Sequence, residues 1–285
     1  MLGFLNIDKP SGMTSNAVVQ KVKKKFKLKK IGHFGTLDPM ASGVLPLAIG
    51  KATRLFEYSL EKKKAYTVVF EFGYLTDTLD STGTILEECG TIPTLDAIRD
   101  ILPNMLGKQN QMPPMYSAKN VNGRRAYDLA REGIEFELKP KEITIYKLDF
   151  VEQVSASRFR FNVFCSSGTY IREIGSDLGE RLGTTATMTE LRRTMAGDFN
   201  MTNAISLDDC LSLDAIDSAL LEPREVFTAL GVVEITQDTY LKLKNGIKVE
   251  YKPITKDSFV ICDGRVVGIA KKNDKIIKLD TYLDD

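Results

Sequence analysis

Between Ile31 and Thr53 the chain reads IGHFGTLDPMASGVLPLAIGKAT, with four glycines, the only histidine (His33) and one carboxylate, Asp38. Glycine opens positive φ and lets another group approach the backbone closely. Asp38 precedes Pro39, whose ring keeps its predecessor out of α geometry and in an extended or turn conformation. A carboxylate fixed in this way is a turn device or a catalyst, and the stretch alone leaves both open. The P-loop reading of GVLPLAIGKAT fails on spacing. Six residues, not four, separate Gly43 from Gly50, and Ala52 stands after Lys51 where a magnesium-binding Ser or Thr belongs.

Charge is distributed unevenly around this stretch. Residues 1–64 hold 13 Lys/Arg against 4 Asp/Glu, a local +9 in a chain of net +1, so the rest carries −8. Seven lysines lie within Lys21–Lys30, and Lys62, Lys63 and Lys64 form a second cluster. Such blocks repel themselves unless an anion faces them, and nucleic-acid phosphate is the usual anion; a solvated helix face is the plain alternative. No apolar run approaches the ~18 residues of a membrane span. MLGFLNIDKP carries an early acid and no long apolar core, so no signal peptide is expected. Cys89, Cys165, Cys210 and Cys262 are scattered without a CxxC pair, which argues against zinc ribbons and disulfide frameworks and suggests free thiols in a reducing cytosol.

Read in order, the pattern predicts a strand at Gly3–Ile7, a turn at Asp8–Gly12, and a helix capped by Thr14 or Ser15. That helix buries Val18, Val19, Val22 and Phe26 and turns its lysines outward. Alternation predicts strands at Tyr66–Phe72, Glu142–Val151 and Ser157–Cys165, with a helix from Thr94 between the first two. Residues 112–133, proline-rich at entry and carrying Lys119, Arg124, Arg125 and Arg131, read as an inserted element able to clamp RNA, or as an ordinary surface helix. Ile171, Ile174, Leu178 and Leu182 form the inner face of a helix whose corner carries Tyr170 and Arg172. Leu191, Arg192 and Arg193 fall near a helix end. From about Gly231 short strands take over, with Asp263-Gly264 as a hairpin turn.

Several chemistries drop out. Base deamination at zinc needs H-x-E and P-C-x-x-C, glycoside hydrolysis two facing carboxylates, and acyl transfer a nucleophile turn; the chain has none of these at the loop. One histidine and no cysteine pair make a transition-metal centre unexpected. An RNA-facing site around a single carboxylate survives.

KPSGMTSN (9–16), GHFGTLDPMASGVLPLAIGKAT, KAYTV, MPPMYSAKNVNGRRAYDLAREG, CSSGTYIREIGSDLGERLG and LRRT resemble, in this order, the TruB family of bacterial tRNA pseudouridine-55 synthases. The resemblance covers about residues 2–225. It implies an α/β (α+β) catalytic domain over 1–228, with a mixed, largely antiparallel sheet flanked by helices. It also implies an RNA-clamping insertion at 112–133 and a small C-terminal β module, 231–285, like a PUA RNA-binding domain. The implied reaction isomerises uridine 55 of the tRNA T loop: the N1–C1′ bond breaks, the base turns, and C5 rejoins C1′. Nothing is added or lost, so no cofactor and no metal are implied.

By the same resemblance Asp38 is the catalytic aspartate, Arg172 the guanidinium that orients it, and Tyr170 the tyrosine proposed to take the C5 proton. Tyr66 is the ring on which uracil stacks, and Leu191 an apolar wall. His33 enters the T loop and displaces the base, although a lone histidine is more often structural. Lys9 and Lys51 would contact phosphate or support the loop. The expected partner is a tRNA T stem-loop, met by a cytoplasmic monomer without guide RNA or membrane. A tRNA-folding chaperone with secondary catalysis and a guide-dependent synthase are the competing readings.

Overall fold

A computed structural model of the chain describes residues 1–58, 63–117, 119–121 and 123–284. Lys62 of the second lysine cluster, and Ala118 and Asn122 of the 112–133 stretch, lie outside the described residues. Strand β1, Gly3–Lys9, is almost wholly buried and runs two residues further than its apolar run, because Asp8 and Lys9 still pair with Val44 and Gly43. Thr14 caps α1, Ser15–Lys25, by accepting from the Ala17 N–H. Val18, Val19 and Val22 are buried while Lys21, Lys24 and Lys25 are exposed.

The glycine-rich stretch forms β2 (Ile31–His33) and β3 (Ser42–Ile49), antiparallel to each other, with residues 34–41 as the excursion between them. A 3-10 helix, Gly50–Tyr58, follows. Next come β4 (Lys63–Phe72), the small hairpin β5 (Tyr74–Thr76) and β6 (Ile85–Glu88), α2 (Leu95–Ile101) and β7 (Gly107–Gln111). The 112–133 stretch contains a short hairpin, β8 (Asn120–Val121) and β9 (Arg124–Arg125), and α3 (Ala126–Arg131). Strands β10 (Lys141–Gln153) and β11 (Arg158–Ser166) precede α4 (Ile171–Arg181). On β11 Phe159, Phe161, Val163 and Cys165 are buried, as alternation requires.

One expectation is corrected here. Leu191, Arg192 and Arg193 are not near a helix end but in β12, Ala186–Ala196. Helix α4 has already closed at Gly183, φ +69°, and the β-branched Thr187, Thr189 and Thr194 suit a strand that pairs on both sides. After it come β13 (Phe199–Asn200), β14 (Ile205–Ser206), α5 (Leu207–Ser212) and α6 (Pro223–Val226). The main sheet runs β14-β1-β3-β12-β4-β11-β10-β7, with β2 added to β3 and β13 to β12. It is mixed and largely antiparallel: β1 with β14 and β3 with β12 are parallel, and the remaining pairs antiparallel. The α/β class is therefore as expected. Helices α1, α2, α4 and α5 contribute Val18, Ile98, Leu178 and Leu207 to the main apolar core.

The C-terminal residues form a second sheet: β15 (Gly231–Ile235), α7 (Gln237–Lys244), β16 (Val249–Glu250), β17 (Ser258–Cys262), β18 (Arg265–Ala270), β19 (Ile276–Ile277) and β20 (Leu279–Tyr282). Its order is β15-β17-β18-β20, and β16 pairs with β19. Asp263 and Gly264 both take positive φ, +49° and +74°, as a primed hairpin turn needs. Helix α7 was not expected among the strands; Thr236 caps it and Tyr240 and Leu243 bury its inner face.

A shared apolar cluster joins this module to the first sheet. Phe259, Ile269 and Leu283 meet Phe4, Val44 and Ala48 there. The ring of Phe4 packs edge-on against Phe34, Phe199 and Phe227 at 5.4–5.6 Å. Phe4→Ala is expected to lower the unfolding free energy by about 3–5 kcal/mol, the cost of emptying a buried aromatic site. Urea unfolding of the full chain checks this, and a loss below about 1 kcal/mol would show that the cluster is not cohesive.

Candidate active site

The excursion 34–41 has no regular structure of its own, so its backbone groups must find partners elsewhere. Six consecutive carbonyls, 35 to 40, each accept a hydrogen bond. Arg193 donates to Gly35 and Thr36 at 3.1 and 3.3 Å. Ser15 Oγ donates to Leu37 O at 3.1 Å and accepts from Leu37 N at 2.8 Å. The Ala41 N–H closes a turn on Asp38 O at 3.0 Å. Lys9 Nζ and the Gly12 N–H reach Pro39 O at 3.2 and 2.8 Å, and Ser11 Oγ reaches Met40 O at 2.6 Å. The segment Lys9–Ser15 is therefore a cradle for the loop.

Lys9 is fully buried, and its ammonium also donates to Pro10 and Met13 carbonyls. Burial lowers its pKa to about 8, partly offset by the Asp38 charge. The structure thus puts Lys9 under the loop. Lys51 donates to the Asp284 carbonyl and lines a separate cavity of about 820 Å³, between the end of α1 and the C-terminal module.

The Asp38 carboxylate, about one-third exposed, meets Arg172 Nε at 3.1 Å. Arg172 is buried in the first turn of α4, and its guanidinium ties three other segments together. It lies 3.6 Å from the Asp80 carboxylate and donates to Thr78 O at 3.0 Å and Tyr116 O at 3.1 Å. Charge-assisted bonds to a planar fork fix direction as well as distance. Asp80 is a second buried carboxylate, held by the Thr82 N–H at 3.0 Å and by the hydroxyls of Thr78 and Thr82. Sequence reasoning passed over it as part of a polar loop. The only signal was the T-x-T-x-D-x-T pattern, in which hydroxyls flank an acid.

A cavity of about 1120 Å³ opens on this pair. His33, Asp38, Asp80 and Arg172 line it, and Tyr116, Tyr127 and Arg131 of the 112–133 stretch cover one side. His33 Nδ1 is buried without a hydrogen-bond partner. Burial first, then the charges of Arg193 and Arg125, push its pKa below the usual value, so the ring is neutral at pH 7. Tyr170, the N-cap residue of α4, sits two residues before Arg172 and does not line the cavity. Its backbone is pinned on both sides by Gln111, N–H to Oε1 at 2.8 Å and Nε2 to O at 3.0 Å.

Tyr66 and Leu191 lie on adjacent strands β4 and β12, are buried, and do not line the cavity. Burial pushes the Tyr66 phenol up to about 12, and its hydroxyl hydrogen-bonds Arg193. The expected residues therefore come from β1 (Lys9), β2 (His33), the excursion (Asp38), β4 (Tyr66), β12 (Leu191) and the start of α4 (Tyr170 and Arg172), with Lys51 apart from them.

With this geometry in view, residues 23–171 match the model of the TruB family pseudouridylate synthase N-terminal domain, and residues 172–224 that of the tRNA pseudouridylate synthase B C-terminal domain. The chain belongs to the TruB family. Similar relatives include the tRNA pseudouridine synthase B of Clostridium perfringens, 39% identical over 292 residues, with 99% of each chain covered. That of Thermosipho melanesiensis is 39% identical, with 98% of this chain and 94% of the relative covered. Among solved structures, a chain of an H/ACA RNP bound to a substrate RNA containing 2′-deoxyuridine shares the fold. It has TM-score 0.72 and 22% identity, with 99% of this chain and 85% of that one covered. A chain of a Cbf5-Nop10-Gar1 complex gives TM-score 0.72 at 25% identity, with 99% and 84% covered.

The Lys9 ammonium carries a pH signature. Its folded pKa lies below the unfolded value of 10.5, so between about 8 and 10.5 the unfolded chain binds more protons. Wild type should gain stability relative to Lys9→Met as pH rises through that window. Paired urea unfolding at pH 7.5 and 10 measures it, and a difference that stays constant would place Lys9 in solvent.

Proposed function

We propose that the chain isomerises uridine 55 in the T loop of tRNA to pseudouridine. The observation that carries this reading is the carboxylate of Asp38, held by Arg172 at 3.1 Å at the mouth of a cavity with room for a nucleotide. The names of the relatives, tRNA pseudouridine synthase B, point the same way. A flipped uridine entering the cavity brings its glycosidic bond to Asp38, which acts on the nucleotide while Arg172 keeps it aimed. The neutral ring of His33 enters the RNA stack in place of the departed base without having to shed a charge. Tyr66 offers its ring to the uracil, which requires the 112–133 cover to part while the clamped loop keeps its place. Stacking of this kind contributes about 1–3 kcal/mol per base. With the cover parted, Tyr170 takes the C5 proton and Leu191 walls the pocket that the base enters.

The isomerisation conserves every atom, so it calls for no cofactor or metal. Residues 1–228 serve as the catalytic domain, with 112–133 clamping the RNA, and 231–285 as a PUA-like RNA-binding domain. The enzyme works as a cytoplasmic monomer without guide RNA. Among the described residues no helix is long and apolar enough to cross a membrane. Lys9 and the rest of the 9–15 cradle support the loop, while the exposed lysines of α1 face phosphate.

Purified protein should convert a T stem-loop transcript unaided, and Asp38→Asn should lower the rate by at least roughly 10²–10⁴-fold. Undiminished conversion by the variant would remove Asp38 from the chemistry; binding without any conversion by wild type would favour the chaperone reading. Replacing Lys21, Lys24 and Lys25 together by Ala should flatten the dependence of log affinity on log salt by roughly 2–3 units. An unchanged slope would leave the α1 lysines to solvent.

A further inference from the structure

Arg193 has no part in the roles above, yet its surroundings are those of the loop itself. It is fully buried, and its hydrogen bonds go to carbonyls and a phenol rather than to a carboxylate. Nε donates to Val44 O at 2.8 Å, Nη1 to Thr36 O at 3.3 Å and Nη2 to Gly35 O at 3.1 Å, and the Tyr66 hydroxyl completes the set. A buried cation is expensive, and where a site only needs filling an apolar side chain is as stable or more so. Something other than volume therefore keeps a guanidinium here.

The targets indicate what that is. Gly35 and Thr36 precede Asp38 and Val44 follows it, so one planar group bridges both arms of the excursion that carries the carboxylate. In β12 Arg193 stands in register between Gly43 of β3 and Tyr66 of β4. Gly43 has φ +101°, and a Cβ there would lie 2.2 Å from the Arg193 carbonyl, so the strands close tightly at this point. A bulge between Arg193 and Met195 re-aims the chain just beyond it. Gly35, at φ +90°, has packed onto the cation: a Cβ there would lie 3.6 Å from Arg193 Nη1 and 3.4 Å from Lys64 Nζ.

We propose that Arg193 is a positioning residue of the reaction, locking loop 35–44 and the Tyr66 hydroxyl into one geometry so that Asp38 and the stacking ring address the same nucleotide. This rests on the activity proposed above. The fork of the guanidinium matters as much as its charge, because a lysine ammonium cannot reach Val44, Thr36, Gly35 and Tyr66 together. The Asp38 and Arg193 charges also sense each other, which ties the lock to the group it positions.

Arg193→Lys keeps the charge and removes the fork. It should stay folded and bind a T stem-loop RNA within about threefold of wild type, while the single-turnover rate at saturating enzyme falls about 100-fold, the scale of a 1 Å misplacement. Without RNA, exchange of the Leu37 and Ala41 amides, which bond Ser15 and Asp38, should quicken at least about tenfold as the loop opens locally. A rate within threefold of wild type, a defect confined to binding, or failure of R193K to fold would each overturn the proposal; the last would make Arg193 a folding residue. A wild-type chain that makes no pseudouridine contradicts the activity instead, and amide exchange then still decides whether the lock exists.

Discussion

The structure around the site depends on how an irregular eight-residue excursion is made rigid. Its carbonyls from 35 to 40 are taken up one after another by Arg193, Ser15, the Ala41 N–H, Lys9 with Gly12, and Ser11. Loops usually leave such groups to water and move. Here side chains from β1, the start of α1 and β12 do the work that a ladder does in a sheet. Asp38 is therefore carried by backbone that is fixed on both sides. That explains why the segment Lys9–Ser15, far from the loop in sequence, accompanies it in space.

Charge is arranged to the same end. Lys9, Arg172 and Arg193 are buried cations, set against Asp80, buried, and Asp38, partly open to the cavity. Each cation is satisfied by carbonyls or carboxylates, as burial demands. Arg172 in addition joins α4 to Asp38, to the 78–80 segment and to Tyr116 of the cover. A change in the cover can therefore reach the carboxylate through a single side chain. The surplus of positive charge suits a site that receives a phosphodiester chain, and the lysine face of α1 extends it outward.

Much of this was legible before any coordinates. Thr14 caps α1, the alternation of Phe159, Phe161, Val163 and Cys165 gives β11, and Asp263-Gly264 makes a hairpin, because each is a local rule with a local cause. What was missed is not local. LRRT looks like a helix end by its charges, yet it is a central strand because β3 and β4 supply pairing on both sides. Arg193 and Asp80 look like surface charges in sequence. Only the register of β12, and the hydroxyls that fold back from Thr78 and Thr82, reveal them as buried. Helix α7 did carry its own signals, Thr236 before it and Gly246 after it, and was lost among the strands that surround it. The assignment of Asp38, Tyr66, Tyr170 and Arg172 as a set came from the resemblance of whole blocks. Spacing along the chain could not have joined them.

In the proposed reaction the clamped loop presents Asp38 to a uridine taken out of the T loop. The most direct measurement is a crystal structure of the chain with a T stem-loop RNA carrying 5-fluorouridine at position 55. The expected result is that nucleotide in the cavity beside Asp38 and Arg172, its base against the Tyr66 ring and the His33 ring in the place it left. A 5-fluorouridine still stacked within the RNA, or seated away from Asp38, would contradict it.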